Sequence, residues 1–192
     1  MAKNIQLIIG STRQNRVGAQ VAEWVKKHAE AHEGINVEVI DLKEENLPFF
    51  DAATPPLYAP DTSPAGQAWA QKIDRGDGFI FVTPEYNRGI PASLKNALDF
   101  LVKEWNHKPA AVVSYGWIDG GQSASKHLHD VLSWLKVATA ESSVSLKLTQ
   151  ELMAEDGSIK DVDAAFADYV AVLEAAFAEL VEHEPAAEAV AA

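Results

Sequence analysis

Three short polar stretches carry the residue types that could do chemistry, and each one follows an apolar run. The first, Gly10-Ser11-Thr12-Arg13-Gln14-Asn15-Arg16-Val17-Gly18, sets two hydroxyls and two guanidiniums just ahead of an amphipathic segment. At a helix start the free backbone N–H groups and the dipole favour an anion, and arginine forks add paired donors for phosphate oxygens. The spacing is neither the G-x-G-x-x-G of a dinucleotide turn nor the G-x-x-x-x-G-K-[ST] of a P-loop. An ordinary βα turn with surface arginines has the same composition, but two arginines at one helix start in an acidic chain favour phosphate. The second stretch, Thr83-Pro84-Glu85-Tyr86-Asn87-Arg88-Gly89, offers a flat surface and a polar edge for a planar ligand. A rigid turn with a packed Tyr86 and a solvated Glu85 is the competing reading. The third, Ser114-Tyr115-Gly116-Trp117-Ile118-Asp119-Gly120-Gly121, has glycines that let backbone approach a ligand closely, or that merely make a turn.

Other chemistries lack their parts. With no cysteine there are no disulfides, thiolate metal sites or thiol nucleophiles, so redox work has to come from a bound cofactor. His28 and His32 stand four apart without a third ligand nearby, His127 and His129 diverge on a helix, and no metal is expected. Ser11 and Ser114 have no positioned histidine, and Asp99 and Glu104 read as helix surface rather than a carboxylate pair. No general acid or base is assigned.

The elements that must position the three stretches follow from periodicity. Ile5 to Ile9, Ile35 to Leu42, Gly78 to Val82, Pro109 to Tyr115 and Val144 to Leu146 read as strands, the third of them buried on both faces. Helices are expected over 19–32, 64–73, from Pro91 onward, over 123–135, and from Asp161 through Val181. The span 43–64 has no regular pattern. Alternating strands and helices imply an α/β fold with a parallel sheet, here a doubly wound five-stranded sheet of order 2-1-3-4-5. In that order the strands preceding the three stretches are neighbours, so their loops converge on one crevice.

Taken together, these residues carry a family resemblance. Gly10-Ser11-Thr12-Arg13 with Arg16-Val17-Gly18, then Thr83-Pro84-Glu85-Tyr86-Asn87 with Leu94-Lys95-Asn96-Ala97-Leu98-Asp99-Phe100, then Val113-Ser114-Tyr115-Gly116 with Gly120-Gly121, resemble the NADPH-dependent FMN reductase family. The resemblance spans roughly Ile5 to Leu135. It implies a flavodoxin-like three-layer α/β/α sandwich that uses FMN, with NADPH or NADH as electron donor. Ser11, Thr12, Arg13 and Arg16 to Gly18 would bind the phosphate. Pro84, Glu85, Tyr86 and Asn87 would line the isoalloxazine ring, with Ser114, Tyr115 and Gly116 at its pyrimidine side and Gly120 and Gly121 in the same loop. The implied activity is ping-pong hydride transfer from nicotinamide to flavin N5 and on to quinones, azo dyes, nitro compounds or chromate. A flavodoxin-like electron carrier without turnover of its own is the alternative.

The 192 residues, 47% hydrophobic, suit one domain over 1–184 followed by a flexible Ala/Glu-rich tail over 185–192. A net charge of −12 argues against nucleic acid and anionic membranes as partners. No apolar run is long enough to span a bilayer and no signal segment precedes the first strand, so a cytoplasmic protein is expected. Phe100 and Trp134 fall off the apolar stripes of adjacent helices. They suggest a patch for a homodimer or homotetramer, unless the 43–64 loop covers them through Phe49, Phe50 or Tyr58.

Overall fold

The computed structural model describes residues 1–184; the expected tail, 185–192, lies outside them. A parallel sheet runs in the order β2-β1-β3-β4-β5, as the alternating pattern predicts. Its strands are β1 (Lys3–Ile9), β2 (Ile35–Asp41), β3 (Gly78–Pro84), β4 (Pro109–Gly116) and β5 (Ala138–Thr139). A sixth strand, β6 (Val144–Lys147), also pairs with β4, so the fifth position in the sheet is held by two pieces. Between them, the backbone N–H groups of Glu141 and Ser142 leave the ladder and donate to the Glu179 carboxylate at 2.6 and 3.0 Å. A side chain from a distant helix thus replaces the missing sheet bonds.

Every residue of β3 is buried. Its side chains alternate between two cores: Ile80 and Val82 join Ile5, Leu7 and Val113 on one face, while Phe79 and Phe81 join Ile8 and Val112 on the other. Helices α1 (Gly18–Ala31) and α7 (Val170–Glu182) cover the first face. Helices α3 (Pro64–Asp74), α4 (Ala92–Asp99) and α5 (Gln122–Trp134) cover the second. Register aligns Ile9 with Val82, and Thr83 with Ser114, so β1, β3 and β4 end side by side. The loops after them therefore share one edge of the sheet.

Three expectations are corrected. The 43–64 span is not wholly irregular, because Asp41 caps a one-turn helix, α2 (Leu42–Glu45), by accepting from the Lys43 N–H. The last helix is broken: α6 (Val162–Ala165), capped by Asp161, gives way to a tight turn before α7. The break seats Phe166, fully buried, edge-on against Trp24 with ring centroids 5.3 Å apart. Finally, Phe100 is not exposed. Phe50 lies edge-on against it at 5.3 Å, held there because Asn96 accepts from the Phe50 N–H and donates to the Pro48 carbonyl. The interface expected across Phe100 and Trp134 loses its first member, and Trp134 alone stays 82% exposed. Among the described residues no helix is long and apolar enough to cross a membrane.

Candidate active site

The three loops do converge. They wall a cavity of about 520 Å³ at the C-terminal edge of the sheet, where open α/β folds bind ligands. From the first loop Ser11, Arg13, Arg16 and Val17 reach it; from the second, Pro84, Glu85 and Tyr86; from the third, Tyr115 and Gly116. The remaining sequence-predicted residues do not. Thr12 faces a neighbouring recess beside Phe49 and Ser93. Gly18 is packed beneath Tyr115, and a Cβ there would lie 2.4 Å from its hydroxyl. Ser114, wholly buried, bonds the Gly120 carbonyl at 2.9 Å and the Ser145 hydroxyl at 3.1 Å, joining the loop to β6. Gly120 and Gly121 have φ of +74° and +84° and run against the backbone of Ser145 and Tyr115. They shape the loop from behind.

The second loop owes its form to a tight turn. Tyr86 and Gly89 exchange both backbone bonds, at 2.9 and 3.0 Å, across Asn87 and Arg88, which have φ of +50° and +67°. Positive φ at both central residues is the type I′ turn, which suits Asn87 and strains Arg88. The exposed Asn87 thereby points away from the cavity lining, while Tyr86 reaches back to the Ser11 hydroxyl at 2.7 Å. Beside this pair, burial pushes the Tyr115 phenol well above the ordinary tyrosine pKa; Tyr86 adds to the effect, and Ser11, Arg16 and Arg13 oppose it. Tyr115 stays neutral and can act as a hydrogen-bond donor.

Electrostatics separate the two helix starts that open on this edge. At α5 the four leading N–H groups are already taken. Asp119 accepts from Gly121 and Gln122, both at 3.2 Å, and Glu85 accepts from Ser123 and Ala124 at 3.0 and 3.2 Å. Glu85 is therefore a strut between the second and third loops, and its carboxylate is turned to a helix. Arg88 closes the same cluster through Asp119 at 3.2 Å. At α1 no side chain caps the helix and its first turn holds no acid. Among the described residues, the N–H groups of Ser11, Thr12 and Arg13 have no protein acceptor. Arg16 does not point its fork at this opening. Asp41 takes the guanidinium two-handed, and the Ser11 carbonyl accepts a further bond at 2.5 Å. That leaves Arg13, exposed and without an ion-pair partner among the described residues, as the free cation at the α1 start.

Sequence reasoning missed the far wall. Leu148, Gln150 and Met153 to Gly157 cross the sheet end after β6 and complete the cavity, with Asn15 and Trp117 at its rim. The Asp156-Gly157 turn marks a reversal in the sequence, but nothing local shows that it faces β1. His28 and His32, four apart and without a third ligand in the sequence, both approach Glu174, at 3.7 and 2.8 Å, and tie α1 to α7.

Residues 4–151 match the family model described as NADPH-dependent FMN reductase. An NAD(P)H-dependent FMN reductase of Schizosaccharomyces pombe is 37% identical over 177 residues, covering 91% of this chain and 87% of that protein. A 2-hydroxy-1,4-benzoquinone reductase of a Burkholderia species is 29% identical over 175 residues, covering 85% and 88%. Among solved structures, the flavoenzyme NAD(P)H:(acceptor) oxidoreductase of Paracoccus denitrificans superposes with a TM-score of 0.74 at 24% identity, covering 96% of this chain and all of that one. An NADH:FMN oxidoreductase in its apo form gives 0.66 at 21% identity, covering 94% and 89%. The fold is flavodoxin-like, the electron donor is NAD(P)H, the cofactor is FMN, and the chain belongs to the NADPH-dependent FMN reductase family.

Proposed function

We propose that this protein is an NAD(P)H:quinone reductase whose FMN phosphate sits at the start of α1 and whose flavin ring lies along Pro84 to Tyr86 and Tyr115 to Gly116. The observation that carries the phosphate assignment is the contrast between helix starts: α5 is filled by two carboxylates, while α1 is uncapped with Arg13 beside it. Held there, FMN would supply the redox chemistry: hydride acceptance at N5 from the nicotinamide and, in ping-pong order, two-electron, two-proton reduction of a quinone.

The chain's own work is binding, orientation and exclusion of water. Ser11, its hydroxyl paired to Tyr86, offers a backbone N–H on the phosphate side, and the Arg13 guanidinium adds the compensating charge. Arg16, clamped by Asp41, holds the loop through the Ser11 carbonyl and acts as a positioning residue. The neutral Tyr115 phenol presents a hydrogen-bonding group in a buried wall, where it acts more strongly than in water, and Gly116 lies beside it with its carbonyl already accepting from the Leu148 N–H. Met153 and Leu148 give that wall apolar surface on its far side. Quinones are proposed as acceptors because relatives are named for reducing them.

The test is spectroscopic. Protein reconstituted with FMN is mixed anaerobically with NADPH or NADH, then with 1,4-benzoquinone. The flavin absorbance should bleach within turnover time and return on adding the quinone. Bleaching that persists in the presence of quinone refutes acceptor turnover, and failure to retain FMN refutes the site.

A further inference from the structure

A second cavity, sharing no lining residue with the first, lies where the 55–61 segment folds over the end of α4. It measures about 310 Å³, the lower end of small-molecule sites. Leu57, Tyr58, Phe100 and Leu101 give it apolar walls, and Glu104 lies in it. The Glu104 side chain is only 7% exposed. Among the described residues no group donates a hydrogen bond to its carboxylate. Its one ion pair among them is with the neighbouring Lys103, whose Nζ stands 3.9 Å away on a side chain that is 78% exposed. Lys108 is near enough to feel the Glu104 charge but hydrogen-bonds the carbonyls of Ile73 and Asp74. The other acid of the cavity, Asp61, is already engaged by the N–H and hydroxyl of Ser63, both at 2.8 Å.

A carboxylate left with a thin contact to water, one exposed lysine and no hydrogen-bond donor is poorly compensated, and such groups are normally paired. The cavity offers a place for a further partner: Phe100 and the exposed Leu57 and Tyr58, 60% and 79% accessible, give it hydrocarbon, and Lys103, also on its lining, has an exposed side chain. We propose that this cavity binds a small organic cation, a primary ammonium or guanidinium on a short apolar stem. The head pairs with Glu104 and the stem lies between Phe100, Leu57 and Tyr58. A bare metal ion is disfavoured, because the second carboxylate of the cavity, Asp61, is engaged by Ser63 and the walls are otherwise largely apolar side chains. A purely apolar guest would leave Glu104 unpaired.

The probe is hexylammonium chloride, titrated into the full-length FMN-loaded protein at physiological salt, with hexanol and hexanoate as controls. Affinity is read by calorimetry, and the place of binding by backbone amide shifts. Hexylammonium should bind, hexanoate should not, and shifts should be confined to residues 56–61 and 100–106. Glu104→Gln keeps the shape and removes the charge, so it should weaken hexylammonium about 10- to 100-fold and leave hexanol unchanged. Equal affinity for hexanol and hexylammonium in the unaltered protein overturns the proposal without any variant. So do shifts scattered over the acidic surface, absence of hexylammonium binding, or a Glu104→Gln protein that binds it as tightly.

Discussion

Replacing Glu85 by alanine separates two roles that the same residue could hold. Its carboxylate accepts from the N–H groups of Ser123 and Ala124 at 3.0 and 3.2 Å and is 11% exposed, so it caps α5 from a partly buried position. Losing a capping side chain costs about 1 kcal/mol, and a partly buried charge at a helix end contributes up to ~2 kcal/mol more. Glu85→Ala should therefore destabilise the flavin-free protein by about 2–3 kcal/mol. Glu85→Gln keeps one oxygen as acceptor and loses the charge, so it should cost about 1 kcal/mol. Urea unfolding followed by circular dichroism measures both. FMN affinity should fall in step with stability, because the strut that fixes the second loop against the third is lost. If Glu85→Ala leaves urea stability within about 0.5 kcal/mol of the parent while FMN binding collapses, the carboxylate serves the cofactor and not the helix.

Other consequences are open to simple assays. Gly18→Ala pushes a methyl to within 2.4 Å of the Tyr115 hydroxyl and should cost about 1–3 kcal/mol, and adding Tyr115→Phe should restore part of the loss in a double-mutant cycle. Arg88→Gly relieves the strain of a left-handed φ of +67° at the loss of exposed contacts to Asp119, Ser123 and Glu85; thermal melting should show no destabilisation and a gain of up to about 1 kcal/mol. Burial lowers the His129 pKa below its ordinary 6.5. The unfolded chain then binds the proton more readily, so this histidine's contribution is present above about pH 6.5 and is lost as pH falls through the lowered folded value. His129→Gln should flatten that part of a stability-versus-pH curve measured in urea.

The sheet order was legible because each strand and helix announces itself locally, and Gly78 to Val82 could hardly be anything but a central strand. The convergence of the three loops followed from that order alone. What stayed hidden depends on partners far along the chain. Arg16 looked like a phosphate ligand until Asp41, 25 residues later, was found in its fork. Glu85 looked like a ring contact until α5 arrived 38 residues on. Phe100 read as exposed because a helix stripe says nothing about a loop that returns to cover it through Phe50. The split edge strand is hidden for the same reason, since Glu179 occupies the gap. Residue type names the chemistry a side chain can do, and tertiary competition decides which of those it is free to do.

The assignment of the phosphate to the α1 start rests on Arg13 being the free cation there, and one comparison tests it most directly: affinities of parent and Arg13→Ala protein for FMN and for riboflavin. Riboflavin keeps the ring and lacks the phosphate. Loss of one charge-assisted contact should weaken FMN about 10- to 100-fold and leave riboflavin nearly unchanged. An equal loss for both flavins, or no loss for FMN, would contradict the placement.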